Sequence, residues 1–575
     1  MDTVNPEEVK RSALKWALKN AFDHDGKAQV GPVVSKVIAE HPGSKASISR
    51  VVEAVKEAVE WVNTLDKTAI ETTLSEIAPE LMAEERRRSE ERRLPELPGA
   101  SAGAVVLRLP PEPSGYMHLG HAFHGLINYL YREKYGGFLW LRFEDTNPRK
   151  VRAEYYDSYR EGFRWCGVKW DAEKNNSDDM DLYYSYAEML LELGGLYVCS
   201  CSQEEMAKQR AEGAECSHRS MDASWHMEKW DRMLSGAMRE GEAVVRFKGD
   251  LQSQNTALRD PVLFRVVEHP HPLKGDRYTV WPTYDFAVAI QDAVCGVTHV
   301  LRTSEFMFRD ELQDQIRQRL GLRNPVYVEY SRFEFEGTPL SRRRIRELIE
   351  QGIVRGWDDP RLGTVAAARR RGFTPEALRE FVKSYVALTP SRKLYSWDLL
   401  YAINRRVIDP KTPRLFFVPD PRRVVLKNPI AVKVSVPLHP SADMGSRALE
   451  IGDTVFIPGR DADLLKPGDR VRLKYLTNIR ILDRVEGGIV AEAEGGGPEP
   501  GLQVIQWVPE KSHRLEVIVP GMLFRGEVPD PQSLSTVSGL VEAYEASVPV
   551  GSAVQFERFG YCVKDAAGVY IFTHP

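Results

Sequence analysis

The residues best equipped for chemistry cluster near position 118. His118 and His121 are three apart, so on a helix they share a face. A helix N-terminus attracts phosphate, because its first N–H groups lack partners and its peptide dipoles add there. Two imidazoles on that first turn would make a triphosphate site. A second set is Cys199-Ser200-Cys201 with Cys216-Ser217-His218, two tight pairs separated by 14 residues. Three thiolates and an imidazole suit a structural zinc, and two such pairs are an unlikely coincidence in a chain this poor in Cys and His. A third set is Leu340-Ser341-Arg342-Arg343-Arg344. From 341 to 371 there are nine arginines against four carboxylates, an excess that suits a phosphate backbone and equally a solvated helix face.

The elements that must position these groups can be read from pattern. Ala104 to Leu109 is a nearly apolar strand. Three prolines and Gly115 rule out regular structure from Pro110 to Gly115. Helical spacing then runs from about His118 to Lys134 and stops at Gly136-Gly137. Phe138 to Phe143 is a second strand, followed by Glu144 and Asp145, where parallel sheets bind ligands. This strand-loop-helix-strand unit is the first half of a nucleotide-binding fold. Tyr155 to Trp165 reads as helix, and 200 to 275 as an irregular insertion. The sheet resumes near Pro282 and includes Gly296 to Arg302, a buried strand ending in arginine. A helix from Ser304 to Leu320, a strand-like run from Val326 to Phe335 and a helical stretch from 375 to 407 follow. From Pro410 apolar and polar residues alternate between Gly/Pro turns, enough chain for two small barrels. Residues 1 to 80 read as short helices, Glu84 to Arg93 as a solvated charge run, and 94 to 99 as a linker.

Bulk properties set limits. No apolar run reaches a membrane span, and the N-terminus lacks a secretory pattern. Six cysteines in 575 residues exclude a disulfide scaffold and point to a reducing cytoplasm. With a net charge of −4, a nucleic acid must be held by local basic patches. Cys166, Cys295 and Cys562 read as core residues.

His118-Leu119-Gly120-His121 resembles the first signature of class I aminoacyl-tRNA synthetases, and Leu340-Ser341-Arg342-Arg343 the second. Arg108 to Tyr116, Leu141 to Pro148, Tyr284-Asp285-Phe286 and Gly296 to Arg302 are similar to the glutamyl/glutaminyl branch. The β region, with Ile505 to Val508 and Val554 to Arg558, resembles that branch's paired anticodon-binding barrels, as in the archaeal/eukaryotic glutamyl type. The second signature departs from the usual pattern. Pro339 stands for the first lysine and Arg342 for another; the arginine keeps charge but not point-charge geometry. Val288 stands where some relatives carry a polar contact.

The resemblance implies an ATP-dependent glutamate–tRNA ligase acting through a glutamyl-adenylate. Its expected architecture is multidomain: a Rossmann-like α/β catalytic domain with an inserted acceptor-binding domain, a helical subdomain, C-terminal all-β barrels and an N-terminal helical appendage. The boundaries expected are 1–98 for the appendage and linker, 99–200 and 276–335 for the catalytic halves, 201–275 for the insertion, 336–409 for signature loop and helices, and 410–575 for the barrels. His118, His121, Ser341, Arg342 and Arg343 would act in catalysis. Pro110, Pro111, Ser114, Gly115, Gly120 and Leu340 would join His118, His121, Ser341 and Arg342 around ATP. Arg108, Glu144, Tyr284 and Arg302 would hold glutamate. Partners would be ATP with Mg2+, L-glutamate and tRNA(Glu), with tRNA(Gln) as a second acceptor left open, and Cys199, Cys201, Cys216 and His218 would bind zinc. The enzyme would be a cytoplasmic monomer without membrane contact. The competing readings are a glutaminyl-tRNA synthetase, a small-molecule nucleotidylyltransferase, which would not need the β region, and a non-catalytic tRNA-binding paralogue.

Overall fold

The structure, a computed structural model, describes residues 5–23, 26–82, 94–339, 341–428 and 433–575. The charge run 84–93 and Leu340 therefore lie outside the described residues. The chain divides into two units, Met1–Leu94 and Pro95–Pro575. The first is helical: α1 (Pro6–Asp23), α2 (Val30–Glu40), α3 (Ile48–Val62) and α4 (Lys67–Ile77). On α3, Val51, Val55, Val59 and Val62 recur at helical spacing and fill the core. Asp66 caps α4 by accepting from the Ala69 N–H at 2.8 Å. Among the described residues no helix is long and apolar enough to cross a membrane.

The second unit begins with β1 (Val106–Leu109), α5 (Leu119–Tyr135), β2 (Phe138–Phe143), α6 (Ala153–Trp165) and β3 (Ala172–Asn175). The three strands pair in parallel in the order β1-β2-β3. Gly136, at φ 58°, ends α5 in the left-handed conformation that favours glycine. Next come α7 (Met180–Glu192), β4 (Leu196–Cys199), α8 (Gln203–Glu212), α9 (Ala223–Leu234), β5 (Val244–Phe247), β6 (Val262–Val266) and β7 (Val280–Pro282). β4 to β7 form an antiparallel four-stranded sheet, made of strands that lie between Leu196 and Pro282. α10 (Tyr284–Val294), β8 (His299–Thr303), α11 (Met307–Arg319) and β9 (Val326–Tyr330) complete the parallel layer, with β8 paired to β9. Thr298 joins the halves: its N–H donates to Val106 O at 3.0 Å and its Oγ1 accepts from the Val106 N–H at 2.9 Å. The strand order thus reverses at β1, where doubly wound sheets open a crevice at the strands' C-terminal ends.

Two stretches differ from their pattern. Val326 to Phe335 breaks at Ser331, and β10 (Arg332–Phe335) leaves the sheet to pair with β11 (Arg392–Tyr395). The region after α12 (Arg342–Glu350) and α13 (Val365–Arg370) is therefore α14 (Pro375–Tyr385), β11 and α15 (Trp397–Ile408), not helix throughout. Tyr395 is buried against Phe333, Phe335 and Phe381, and this aromatic packing overrides local propensity. From Arg414 two seven-stranded sheets follow, one drawing its strands from between Pro421 and Pro509 and the other holding Arg414–Leu415, Phe417–Pro419 and strands from Ser512–Pro520 onward, while Lys433–Pro437 with Ser446–Glu450 and Phe524–Arg525 with Val528–Pro529 form separate two-stranded pairs.

Candidate active site and metal centre

A cleft of about 1140 Å³ opens at the C-terminal ends of β1, β2 and β8. Arg108 lies within β1 and Arg302 within β8; Glu144 directly follows β2, and Tyr284 starts α10. All four line the cleft. The Glu144 N–H donates to Pro111 O at 2.9 Å, carrying the β1–β2 pairing into the loop and fixing where the carboxylate emerges.

Arg108 is 2% exposed, and its Nε faces Asp292 Oδ1 at 3.3 Å. The same oxygen accepts from Arg142 Nη1 at 2.7 Å. One buried carboxylate thus anchors two buried guanidiniums, and Asp292 sits below the usual carboxylate range because these arginines outweigh its burial. Arg108 Nη1 keeps no hydrogen-bond acceptor and Glu144 Oε1 no hydrogen-bond donor, although Arg142 Nη2 stands 3.6 Å from that oxygen as its ion-pair partner. Burial pushes Glu144 up to about 8, opposed by Arg142 and Arg108. Arg302 forms an ion pair with Asp310 and stacks 4.4 Å over the Tyr327 ring, while its Nε and Nη1 lack acceptors. Val288 lines the same cleft and is fully buried. Asp145, by contrast, is framework: it accepts from Ser177 N–H at 2.8 Å, Ser177 Oγ at 2.7 Å and Tyr156 OH at 2.8 Å.

At the other end, His118 is the N-cap of α5 and His121 its third residue. The His118 N–H donates to His121 Nδ1 at 3.4 Å, so the ring proton of His121 sits on Nε2, 3.3 Å from Tyr159 OH. The rings lie 3.7 Å apart. Burial and the Arg342 charge lower His118 to about 3; burial, then His118 and Arg342, lower His121 as well. Both rings are neutral at pH 7. The loop before α13 holds this turn: Leu119 N–H donates to Gly363 O at 2.8 Å and Val365 N–H to Met117 O at 3.0 Å.

Arg342 begins α12 and reaches the first loop. Its Nη1 donates to Ser114 Oγ at 2.6 Å and Glu112 O at 2.9 Å, and Nη2 lies 3.3 Å from Glu112 Oε2. A Cβ at Gly115 would stand 2.7 Å from Arg342 Cδ, so any larger residue there would displace Arg342 from its present hold on the loop. Pro110, Pro111, Gly120, Ser341, Arg342 and Arg343 border the cleft, whereas Ser114 and Gly115 act through Arg342. Arg343 is 91% exposed and paired with Glu347 on its own helix. The arginine excess is not one surface: Arg361 is bound to Asp359, Arg370 to Asp565, and Arg371 is buried against Tyr401.

Sequence reading missed Arg142, Asp292, His124 and Tyr330. His124 follows His118 and His121 at the same spacing, lines the cleft and lies 2.8 Å from Tyr330 OH. That spacing was a usable signal.

Away from the cleft, the ligand atoms of Cys199, Cys201, Cys216 and His218 all lie within 4.8 Å of one another. Cys199 Sγ and Cys216 Sγ are 3.9 Å apart, and Cys201 Sγ and His218 Nδ1 3.6 Å. A tetrahedral zinc with Zn–S bonds of about 2.3 Å has edges of about 3.8 Å, so the donor set fits.

Known proteins place this geometry. The family model described as "tRNA synthetases class I (E and Q), catalytic domain" matches residues 104–410, and two models described as "tRNA synthetases class I (E and Q), anti-codon binding domain" match 412–495 and 504–565. The glutamate–tRNA ligase of Cenarchaeum symbiosum (strain A) is 41% identical over 99% of this chain and 100% of its own. That of Pyrococcus furiosus is 40% identical over 99% and 100%. A solved glutamate tRNA ligase from Elizabethkingia meningosepticum, in complex with its amino acid, covers 53% of this chain and 70% of its own, at 23% identity and TM-score 0.40. The catalytic-domain match over more than half the chain, with full-length relatives at these identities, shows that the chain belongs to the class I tRNA synthetases of the E and Q type.

Proposed function

We propose that this chain attaches L-glutamate to tRNA in two steps. The α-carboxylate attacks the α-phosphorus of ATP, the bond to the β-phosphate oxygen breaks and pyrophosphate leaves. A ribose hydroxyl of the tRNA's terminal adenosine then attacks the adenylate carbonyl, and AMP leaves. The observation that carries this reading is a buried donor without a hydrogen-bond acceptor, Arg108 Nη1, and a buried acceptor without a hydrogen-bond donor, Glu144 Oε1, with Arg142 at 3.6 Å as its ion-pair partner, in a single cleft. A carboxylate and an ammonium on one small molecule satisfy both. The ammonium would restore the Glu144 anion that burial disfavours. Arg302 and Tyr284 complete the side-chain pocket, where a γ-carboxylate accepts from the Arg302 donors that Asp310 leaves without acceptors and the amide nitrogen of glutamine cannot. The relatives named glutamate–tRNA ligase support glutamate over glutamine.

Neutral His118 and His121, at a helix N-terminus, donate hydrogen bonds to the phosphates, and Ser341 with Arg342 and Arg343 closes on them from the second loop. Leu340 belongs to that loop by sequence. Mg2+ enters with ATP. The regions 336–409 and 410–575 carry the signature loop with its helices and the anticodon contacts; the insertion takes the acceptor end. Cys199, Cys201, Cys216 and His218 hold a structural zinc that ties β4 to the segment after α8.

The test is ATP–pyrophosphate exchange with glutamate or glutamine, with and without tRNA(Glu) and tRNA(Gln). Exchange with glutamate alone among the amino acids is expected, followed by charging of tRNA(Glu). Exchange with glutamine in its place, or none in any arm, overturns the proposal. Charging of tRNA(Gln) in the same assay decides whether it is a second acceptor.

A further inference from the structure

Arg246, on β5, is 1% exposed. It stands opposite Tyr197 in the β4–β5 register, with its guanidinium 5.5 Å over that ring and on the strand face that also carries Cys199. Its Nε donates to Asp260 O at 2.9 Å, while Nη2 has no partner. Among the described residues no carboxylate forms an ion pair with it. The nearby Asp260 carboxylate is taken up by Tyr197 OH at 2.8 Å, Arg219 Nε at 2.9 Å and Gly249 N–H at 2.8 Å. A buried cation without a counter-ion is strongly disfavoured.

The missing anion lies in the cysteine cluster. Arg246 Nη1 reaches Cys199 Sγ at 3.9 Å and Gln209 Oε1 at 3.4 Å. Gln209 in turn donates through Nε2 to Cys201 Sγ at 3.7 Å. Three thiolates, a neutral imidazole and Zn2+ sum to one negative charge. A single buried guanidinium cancels it, and hydrogen bonds to the sulfurs temper their charge.

We infer that Arg246, with Gln209 as its bridge, is the counter-charge and sulfur hydrogen-bond donor that sets the affinity of the Cys199–Cys201–Cys216–His218 centre for zinc. This rests on the zinc reading above. Arg246 is a positioning residue for the metal and has no part in the cleft.

The experiment uses the full chain. Metal content of the wild type is measured by mass spectrometry, and affinity by competition with a chromophoric zinc chelator. Arg246→Met should bind zinc about 10–100-fold more weakly, the range expected when a residue supporting metal ligands is lost. Arg246→Lys should lose less, because it keeps the charge. Arg219→Met, which disturbs the same buried region without touching sulfur, should keep wild-type affinity. Cobalt substitution reports the centre independently: its thiolate charge-transfer band should survive in Arg246→Met at saturating cobalt, which also shows that the site still folds. Wild-type affinity in Arg246→Met, equal losses in Arg246→Met and Arg246→Lys, or the same loss in Arg219→Met overturns the assignment. A wild type that takes up neither zinc nor cobalt overturns the zinc reading itself.

Discussion

The two ends of the cleft are built differently. At the end proposed to hold the amino acid, Arg108, Arg142 and Asp292 have side chains 0–2% exposed and interlocked across β1, β2 and α10. At the end proposed to hold the phosphates, Arg342 is 26% exposed and joins the first loop through Glu112 and Ser114, while Arg343 points to solvent. Choosing among similar amino acids needs buried polar groups that an impostor leaves unpaired, and such groups must be fixed by a packed sheet. Handling a triphosphate that enters and leaves needs charge on an element that can move. The contrast predicts that substitutions at the first end act through the fold and those at the second through kinetics.

The sharpest way to break that contrast is Asp292→Asn. It leaves two buried guanidiniums without their shared anion, and removing one partner of a buried pair costs about 3–5 kcal/mol. Urea unfolding should show that loss, together with a collapse of glutamate-dependent exchange; wild-type stability would dissolve the distinction. His121→Ala should do the reverse. Exchange should fall by about 10²–10³-fold, as when a preorganised donor to developing charge is lost, with little change in the urea midpoint. Near wild-type exchange would remove His121 from the chemistry.

These two residues also mark how far the sequence could be read. The β1–α5–β2 unit was legible because Pro110 to Gly115 and Gly136-Gly137 punctuate it and its apolar periods are long; Phe138–Phe143 is the strand observed. His121 was legible because its partner is three residues away. Asp292 was not: its partners lie 184 and 150 residues upstream, and only the strand register brings them together. β11 hid within a helical pattern because its pairing with β10 and the burial of Tyr395 are tertiary. Arg246 did leave a trace, as a lone charge in Val244-Val245-Arg246-Phe247, but what it neutralises appears only once β4 lies beside β5.

A milder test separates the ends by pH. His118 and His124 are lowered to about 3 and His121 also lies low, all chiefly by burial. On unfolding each returns to an ordinary value of about 6.5. Between those values the unfolded chain binds more protons, so stability is fully present above pH 6.5 and falls as pH drops toward 3. From pH 7.5 to 5.5 the loss should be about 1.4 kcal/mol for each of His118 and His124, with His121 adding a loss in the same direction. His124→Gln, which removes one of the three, should flatten the urea-midpoint profile by about a third; an unchanged profile would mean that these rings are charged in the folded protein.

The smallest effects should divide Arg342 from Arg343. Arg342→Ala loses its hydrogen bonds to Glu112 and Ser114 and should raise KM for ATP about tenfold, on the scale of one charge-assisted hydrogen bond. Arg342→Lys should recover only part, since an ammonium cannot span both acceptors as the planar fork does. Arg343→Ala removes an exposed i,i+4 pair with Glu347, so its stability should stay within about 0.5 kcal/mol of wild type. Any kinetic effect of Arg343 must then come from a closed state in which it leaves Glu347 for the phosphates. Such an effect should appear in kcat more than in KM, because the contact would form only as the loop closes. Identical kcat in Arg343→Ala and wild type would leave Arg342 as the arginine of this loop that reaches ATP.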